Sequence, residues 1–498
     1  MRNRRLDLSR LVGLGLVGTA LLAAGCDPTQ RFPRVELTRQ PHDGGVLVAY
    51  DLDGDKRPDY WQRQDPAGRV VALQFDDNRD GRPDDLVDLD HIGPNDVPHL
   101  IIALDGCPYE CVEQVYKQGG FRLFFPPARL ISCFPAMTDL ALSQVWHCGP
   151  VRSCEALYFD RRRNRLNDGN ASYLRAENSP WVARMAYRCS FWWDANAYLN
   201  PQGVFDHELR GIYRTFAKVR SGTAAGYTVG TAGLGTRGGQ AAMLRYLHRL
   251  DRLCQQILYE RRGRVKLTLL ADHGQGMTRC QRVSFKDHLR QRGFNLCKRL
   301  ETPRDAVTIE YGLVTYAAFF TDRPAELAAA LRDHPAVELV FYPSERDVVV
   351  LDRHGKAVIR HLSNGFRYEP SGGDPLKLTD IIERLREQGK VGTDGAIDDR
   401  ALFEATATHR YPDPLRRAWF GFNGVTQVRP DVIVSLYNGY SHGSAFFDFM
   451  IGGAASTHGS IDRLSSTAFV LTMRGPLPPA MRLEEALSKV EQARPLPA

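Results

Sequence analysis

From His99 onward, short apolar runs alternate with longer amphipathic stretches. The run "HLIIALDG" is continuously apolar and ends in Asp105-Gly106, the pattern of a strand covered on both faces in a parallel sheet. "ARLISCF" is a second such run, followed at Thr138 by the helix-like "TDLALSQVW". Helical spacing from Gln240 to Glu260 leads into a third strand, "VKLTLLADHG", and "VTYAAFF", "PDVIVSLY" and "TAFVLTM" predict later ones. Strands alternating with helices predict an α/β fold, a central mostly parallel sheet flanked by helices, with its site at the carboxyl ends of the strands. Asp105, Asp272 and His273 fall at such ends. Residues 342–378 break the alternation; "DVVVLDRHGKAVI" and "YEPSGGDPLKL" predict an inserted hairpin and loop.

Residues 35–95 follow another pattern. Residues 51–59 read DLDGDKRPD and residues 76–84 read DDNRDGRPD, a self-match at a period of 25. Asp51, Asp53, Asp55 and Asp59 align with Asp76, Asn78, Asp80 and Asp84, and oxygen ligands at alternate positions suit a hard cation such as calcium. The spacing resembles the D-x-D-x-D-G-x-x-D loop of integrin-type repeats. It departs from an EF-hand, because Gln62 and Val87 stand where a bidentate Glu belongs and Lys56 replaces the turn glycine of the first loop. "GRVVALQF" between the loops predicts a strand, so this is a small β-rich segment, holding either calcium or two ion-free acidic turns.

The 498 residues, 43% hydrophobic and 25% charged, exclude a disordered chain, a collagen-like fibre and a small disulfide scaffold. Of the net charge of +7, Arg2, Arg4, Arg5 and Arg10 less Asp7 supply +3, leaving +4 for the rest. No basic tract with interleaved aromatics occurs, so no nucleic-acid binding is expected. That basic start precedes an uncharged run from Leu11 to Ala24, too short for a membrane span but right for the apolar core of a signal peptide. The run ends in Leu22-Ala23-Ala24-Gly25-Cys26, which resembles a bacterial lipobox. That resemblance implies cleavage before a lipidated Cys26 and a soluble domain anchored at a membrane of the bacterial cell envelope, facing the periplasm or exterior. Nine further cysteines remain; Cys107 and Cys111 lack a second pair at zinc-site spacing, which leaves a disulfide or buried thiols.

Taken together and in order, "IIALDG", "FPAMT", "LLADHG" and "STHGSIDR" resemble the alkaline phosphatase superfamily, in its type I phosphodiesterase/nucleotide pyrophosphatase-like branch. The likeness covers about residues 97–480 and includes "HRYPDPLRRAW". It implies two metals, usually zinc, that clamp an in-line phosphoryl displacement by a Thr or Ser alkoxide. Asp105 matches the first-strand carboxylate, Thr138 the nucleophile, and Asp272 and His273 the Asp-His pair; these four would form one metal site. His458 in "THGS" matches a ligand of the second.

The rest of that second site departs from the pattern. "TAAGYTVG" fits the frame of the family's D-x-x-G-H-x-x-G loop, with Thr223 at the Asp position and Tyr227 at the His position. A hydroxyl and a phenol are poor zinc ligands at neutral pH. Ala141 also replaces an Asn found three residues after the nucleophile in that branch. Three explanations stand: Asp206, His207 or His442 supply the ligands; one metal, zinc or manganese, suffices, as in the related phosphoethanolamine transferases; or the chain binds a phosphorylated ligand or an envelope partner without catalysis. The expected activity is that of a membrane-anchored, metal-dependent phosphodiesterase, phosphohydrolase or phosphotransferase acting on phosphate esters.

Overall fold

The computed structural model describes residues 32–33 and 35–495; Cys26 and the rest of residues 1–26 lie outside them. The apolar runs become the strands of a seven-stranded sheet. Across it lie Met185–Tyr187, Thr223–Thr228, His99–Leu104, Lys266–Ala271, Thr467–Thr472, Ala128–Ile131 and Ala480–Arg482. All neighbouring pairs are parallel except the two that Thr467–Thr472 makes, so one strand runs against the others. His99–Leu104 and Lys266–Ala271 are buried along their whole length, which explains their uninterrupted apolar sequence. Leu104 pairs with both Thr228 and Ala271. That register brings the carboxyl ends of three strands level, and with them Asp105, Tyr227 and Asp272.

The long helix Gly230–Glu260 packs against the helices Pro201–Phe216 and Tyr109–Lys117, with a break at Gly239 whose φ of 58° favours glycine. The helix predicted from Gln240 is therefore the second part of a helical run that starts at Gly230, just after the strand carrying Tyr227.

Two of the later runs do not join the central sheet. Tyr316–Thr321 and Val432–Leu436 lie in a nine-stranded, mainly antiparallel sheet. Residues 342–378 extend it: Val337–Ser344, Asp347–Leu351, Lys356–Leu362 and Gly365–Ser371 form a continuous meander rather than a single inserted hairpin. An apolar run reports burial, not partner or direction, which is why periodicity did not separate the sheets.

Residues 35–88 form a five-stranded antiparallel sheet. It is joined to the larger body by rings: Tyr60 and Phe75 lie 5.1 and 5.7 Å from Tyr259 near the end of the long helix. Arg262 then reaches Asp77 and Asp85 at 2.8 and 2.9 Å. All nine cysteines of the described residues are free thiols, and Cys107 and Cys111 are buried rather than bridged.

Candidate active site

Asp105 follows its strand directly, and Gly106 turns the chain at a φ of 63°, a conformation that costs glycine little. The turn lets the Gly106 N–H donate to Asp272 Oδ1 at 2.9 Å, and the His273 N–H donates to the same oxygen at 2.8 Å. The other oxygen, Asp272 Oδ2, is buried and finds no hydrogen-bond donor. Thr138 opens the helix Thr138–Val145, and its Oγ1 lies 3.3 Å from Asp105 Oδ1 and 3.2 Å from His273 Nε2. Asp105, Asp272 and His273 each offer one ligand atom, all within 4.8 Å of one another.

Both histidines are held in one tautomer by backbone carbonyls. His273 Nδ1 lies 2.9 Å from the Gly274 carbonyl and His458 Nδ1 lies 2.8 Å from that of Ala136. Each Nδ1 therefore carries the proton and each Nε2 keeps its lone pair. Burial lowers His273 to about 4 and His458 to about 3, so both stay neutral at neutral pH. The rings stack at 3.9 Å, which places His458 beside the cluster. Asp105 is pushed well above the carboxylate range, first by burial and then by the Asp272 charge; hydrogen bonds from Tyr227 and Thr138 pull the other way. Burial also raises Asp272.

This donor set suits a divalent cation. Two buried carboxylates that repel each other, one oxygen without a donor and a neutral imidazole together lack the positive charge that would stabilise them.

Tyr227 joins the cluster in a different role from a ligand. Its hydroxyl donates to Asp105 Oδ2 at 2.6 Å, and burial, followed by the charges of Asp105, Asp194 and Asp272, keeps it protonated. Thr223 does not join. It stands exposed at the amino end of the same strand, four residues from Tyr227 and on the order of 13 Å away at ~3.3 Å per residue. The substitution frame that paired it with Tyr227 thus spans the length of the strand.

The other candidates lie elsewhere. Asp206 pairs with Arg249, His207 stacks on Trp193 at 4.0 Å, and His442 bonds Thr308 and packs beside Phe285. Ala141 is buried in the core. Asp51, Asp53 and Asp55 present oxygens within 4.8 Å of one another. Their carboxylates also accept amide hydrogens of their own loop, from Gly54, Asp55, Lys56 and Arg57. In the second loop Asp84 accepts from Asp77 and Asn78, and Asp76 accepts from Asp80 and Gly81.

One residue that the motifs did not single out is Asp139. It accepts hydrogen bonds from Ser179 at 2.6 Å, Trp181 at 2.9 Å and Asn178 at 3.2 Å. Trp181 in turn packs 4.7 Å from the Tyr227 ring, so Asp139 braces both the Thr138 helix and the phenol. Its place directly after Thr138 was the available signal.

No family model and no curated protein matches the chain. Among solved structures it is similar to human ectonucleotide pyrophosphatase/phosphodiesterase 5, at 13% identity over 80% of this chain and 96% of that one, with a TM-score of 0.44. The murine protein of the same name gives 13% identity, the same coverage and a TM-score of 0.41. Phosphonoacetate hydrolase from Sinorhizobium meliloti 1021, solved with phosphonoformate, is similar at 10% identity over 80% of this chain and 96% of that one, with a TM-score of 0.43.

Proposed function

We propose that this chain is a phosphate-ester hydrolase or phosphotransferase that works with one divalent cation, zinc or manganese, at Asp105, Asp272 and His273. One observation carries the reading: a hydroxyl at a helix start lies within 3.3 Å of two members of a buried Asp-Asp-His cluster whose Asp272 Oδ2 has no donor. A bound cation would supply Lewis acidity, lowering the pKa of the Thr138 hydroxyl and offsetting charge on the phosphoryl oxygens.

The protein's own groups do the rest. Asp105 and His273 aim the Thr138 oxygen, which gives up its proton to water and attacks phosphorus as the opposite P–O bond breaks; the departing alcohol or phosphate takes up a proton from water. The N–H groups at the start of the Thr138–Val145 helix lack partners within the helix and would donate to phosphoryl oxygens brought to Thr138. Water, or an acceptor hydroxyl, then takes the phosphoryl group from Thr138. Tyr227 supplies a hydrogen-bond donor to Asp105 Oδ2 where a second cation would otherwise neutralise it, which supports the one-metal form. His458 keeps an unprotonated Nε2 beside the cluster, suited to accept a proton or a hydrogen bond from substrate. We place the activity on a lipid-anchored protein of the bacterial envelope, on the strength of the "LAAGC" segment.

The same Tyr227 contact favours a second reading, a lipoprotein that binds a phosphorylated ligand without turning it over. Elemental analysis of the purified protein, with calcium counted separately, and hydrolysis of bis-p-nitrophenyl phosphate and p-nitrophenyl phosphate separate the two. About one zinc or manganese per chain is expected, with Thr138→Ala losing ~10³-fold or more in turnover at unchanged metal content. Unchanged turnover in Thr138→Ala removes it as nucleophile. Absence of both transition metal and turnover after metal is added back makes the second reading the better one.

A further inference from the structure

Two neighbouring helices carry a charge that the rest of the chain does not share. Residues 201–262 hold ten Lys and Arg against four Asp and Glu, a net of +6, whereas all residues after the first ten carry +4. Of those four acids, Glu208 and Asp251 are buried and Asp206 pairs with Arg249, which leaves Glu260 exposed. Arg210 and Arg214 share one face of Pro201–Phe216, turned away from the buried Leu209 and Ile212. Arg245 and Arg252 share one face of Gly230–Glu260, turned away from the buried Leu247 and Leu250. The helices meet through Phe205 and Tyr246, 5.5 Å apart, and through Tyr213 and Glu260 at 2.8 Å, so both basic faces belong to one surface. Arg214, Arg237 and Arg245 are exposed, and among the described residues none of them forms an ion pair.

Each end of this surface has a feature of its own. At one end the Phe32 ring lies 5.2 Å from Tyr259. Cys26 is six residues earlier, no more than about 22 Å of chain at ~3.6 Å per residue. From Glu260 back to Gln240 the long helix then spans about 30 Å, at ~1.5 Å per residue. At the other end stands the short helix Ala445–Ile451, whose Phe446, Phe449 and Met450 are 72%, 83% and 40% exposed. These three stand at i, i+3 and i+4, a spacing that ordinarily faces a core. The core side of this helix is already filled by Ile451, which is buried, and by Phe447, which packs on Tyr198 at 5.2 Å. Two exposed cations flank its end: a Cβ on Gly452 would lie 3.8 Å from Arg237 Nη1, and one on Gly453 would lie 3.8 Å from Arg279 Nη2.

We propose that this surface docks on an anionic bilayer, with the basic faces of the two helices against the headgroups. Phe446, Phe449 and Met450 enter the boundary between headgroups and acyl chains. The choice of a bilayer over a protein rests on the lipid anchor at Cys26, which the proposed function also places there, and on area. Two Phe rings of ~200 Å² each expose roughly 300 Å² at these fractions, short of the ~800 Å² per partner in a standard protein interface. Each cation held near an anionic leaflet tightens binding about fivefold, and salt screens the gain.

The test uses the full-length protein with vesicles of phosphatidylcholine alone or mixed with phosphatidylglycerol. Flotation with the phosphatidylcholine vesicles reports the anchor by itself, and amide hydrogen exchange of residues 445–451 reports docking whether or not the chain is anchored. Exchange there is expected to slow about tenfold or more with phosphatidylglycerol, and to recover as salt is raised. Phe446→Ser with Phe449→Ser, and separately Arg237→Glu with Arg245→Glu, are each expected to abolish the slowing; all four positions are exposed, so the fold is kept. The proposal is overturned if exchange of residues 445–451 is the same with and without phosphatidylglycerol, or if both folded double variants are slowed as wild type is. Slowing that appears without vesicles as protein concentration rises also overturns it, in favour of a second copy of the chain.

Discussion

Replacing Tyr227 by Phe removes one oxygen and leaves the ring to pack on Trp181 at 4.7 Å. The lost contact is a 2.6 Å hydrogen bond from a neutral phenol to a buried carboxylate. Bonds of this kind contribute about 2 kcal/mol. At ~2.1 cal/mol/K per residue, unfolding 498 residues as one unit has an entropy near 1 kcal/mol/K, so the metal-free Tm should fall by about 2 °C. The bond stabilises ionised Asp105, whose pKa it pulls down against burial and the Asp272 charge. Its contribution is therefore present at pH values above the folded-state pKa of Asp105 and is lost as pH falls through it. A bound cation takes over part of the same stabilisation, so the variant loses less when loaded than when empty. Metal affinity should then rise, by up to about 30-fold if the whole 2 kcal/mol is recovered. Thermal melts with and without chelator at several pH values, together with zinc titration, measure both quantities. An unchanged metal-free Tm combined with weaker zinc binding would refute the reasoning and make the phenol part of the cation's own support.

Asp139→Ala leaves the donors of Ser179, Trp181 and Asn178 without their shared acceptor; a loss of about 2–3 kcal/mol is expected, read as a lower denaturation midpoint with unchanged metal content. His442, lowered to about 4 chiefly by burial, stays neutral in the fold while the unfolded chain takes up a proton near 6.5. Its stabilisation is thus full above that value and falls by about 2 kcal/mol between pH 7 and 5. His442→Gln should lessen the fall in Tm across that interval by about 2 °C, and an identical fall in the variant would show that His442 does not carry it.

The residues that meet in the buried cluster were legible because strand ends are legible. A continuous apolar run that stops at Asp105-Gly106, and another that stops at Asp272-His273, report two strands covered on both faces and the polar positions immediately beyond them. The acidic repeat likewise reported two turns with the strand Val70–Phe75 between them, but not the strand Tyr60–Gln64 that pairs with it. Motif spacing was less informative where a window crossed a whole strand. Thr223 and Tyr227 share a strand, yet only the second reaches its carboxyl end. The nine-stranded sheet escaped for a related reason: burial makes Tyr316–Thr321 and Val432–Leu436 apolar in the same way that it makes the central strands apolar.

Local sequence determined the strands, the helix that starts at Thr138 and the kinds of side chain available at their ends, because periodicity and end residues are short-range properties. Tertiary structure alone decided that Leu104 would stand level with Thr228 and Ala271, and so that Asp105, Tyr227 and Asp272 would meet. It also decided that Tyr227 would donate to Asp105 and that Arg417 would donate to the Cys133 carbonyl. Both outcomes depend on strand register and on packing between segments more than a hundred residues apart, to which no local pattern is sensitive.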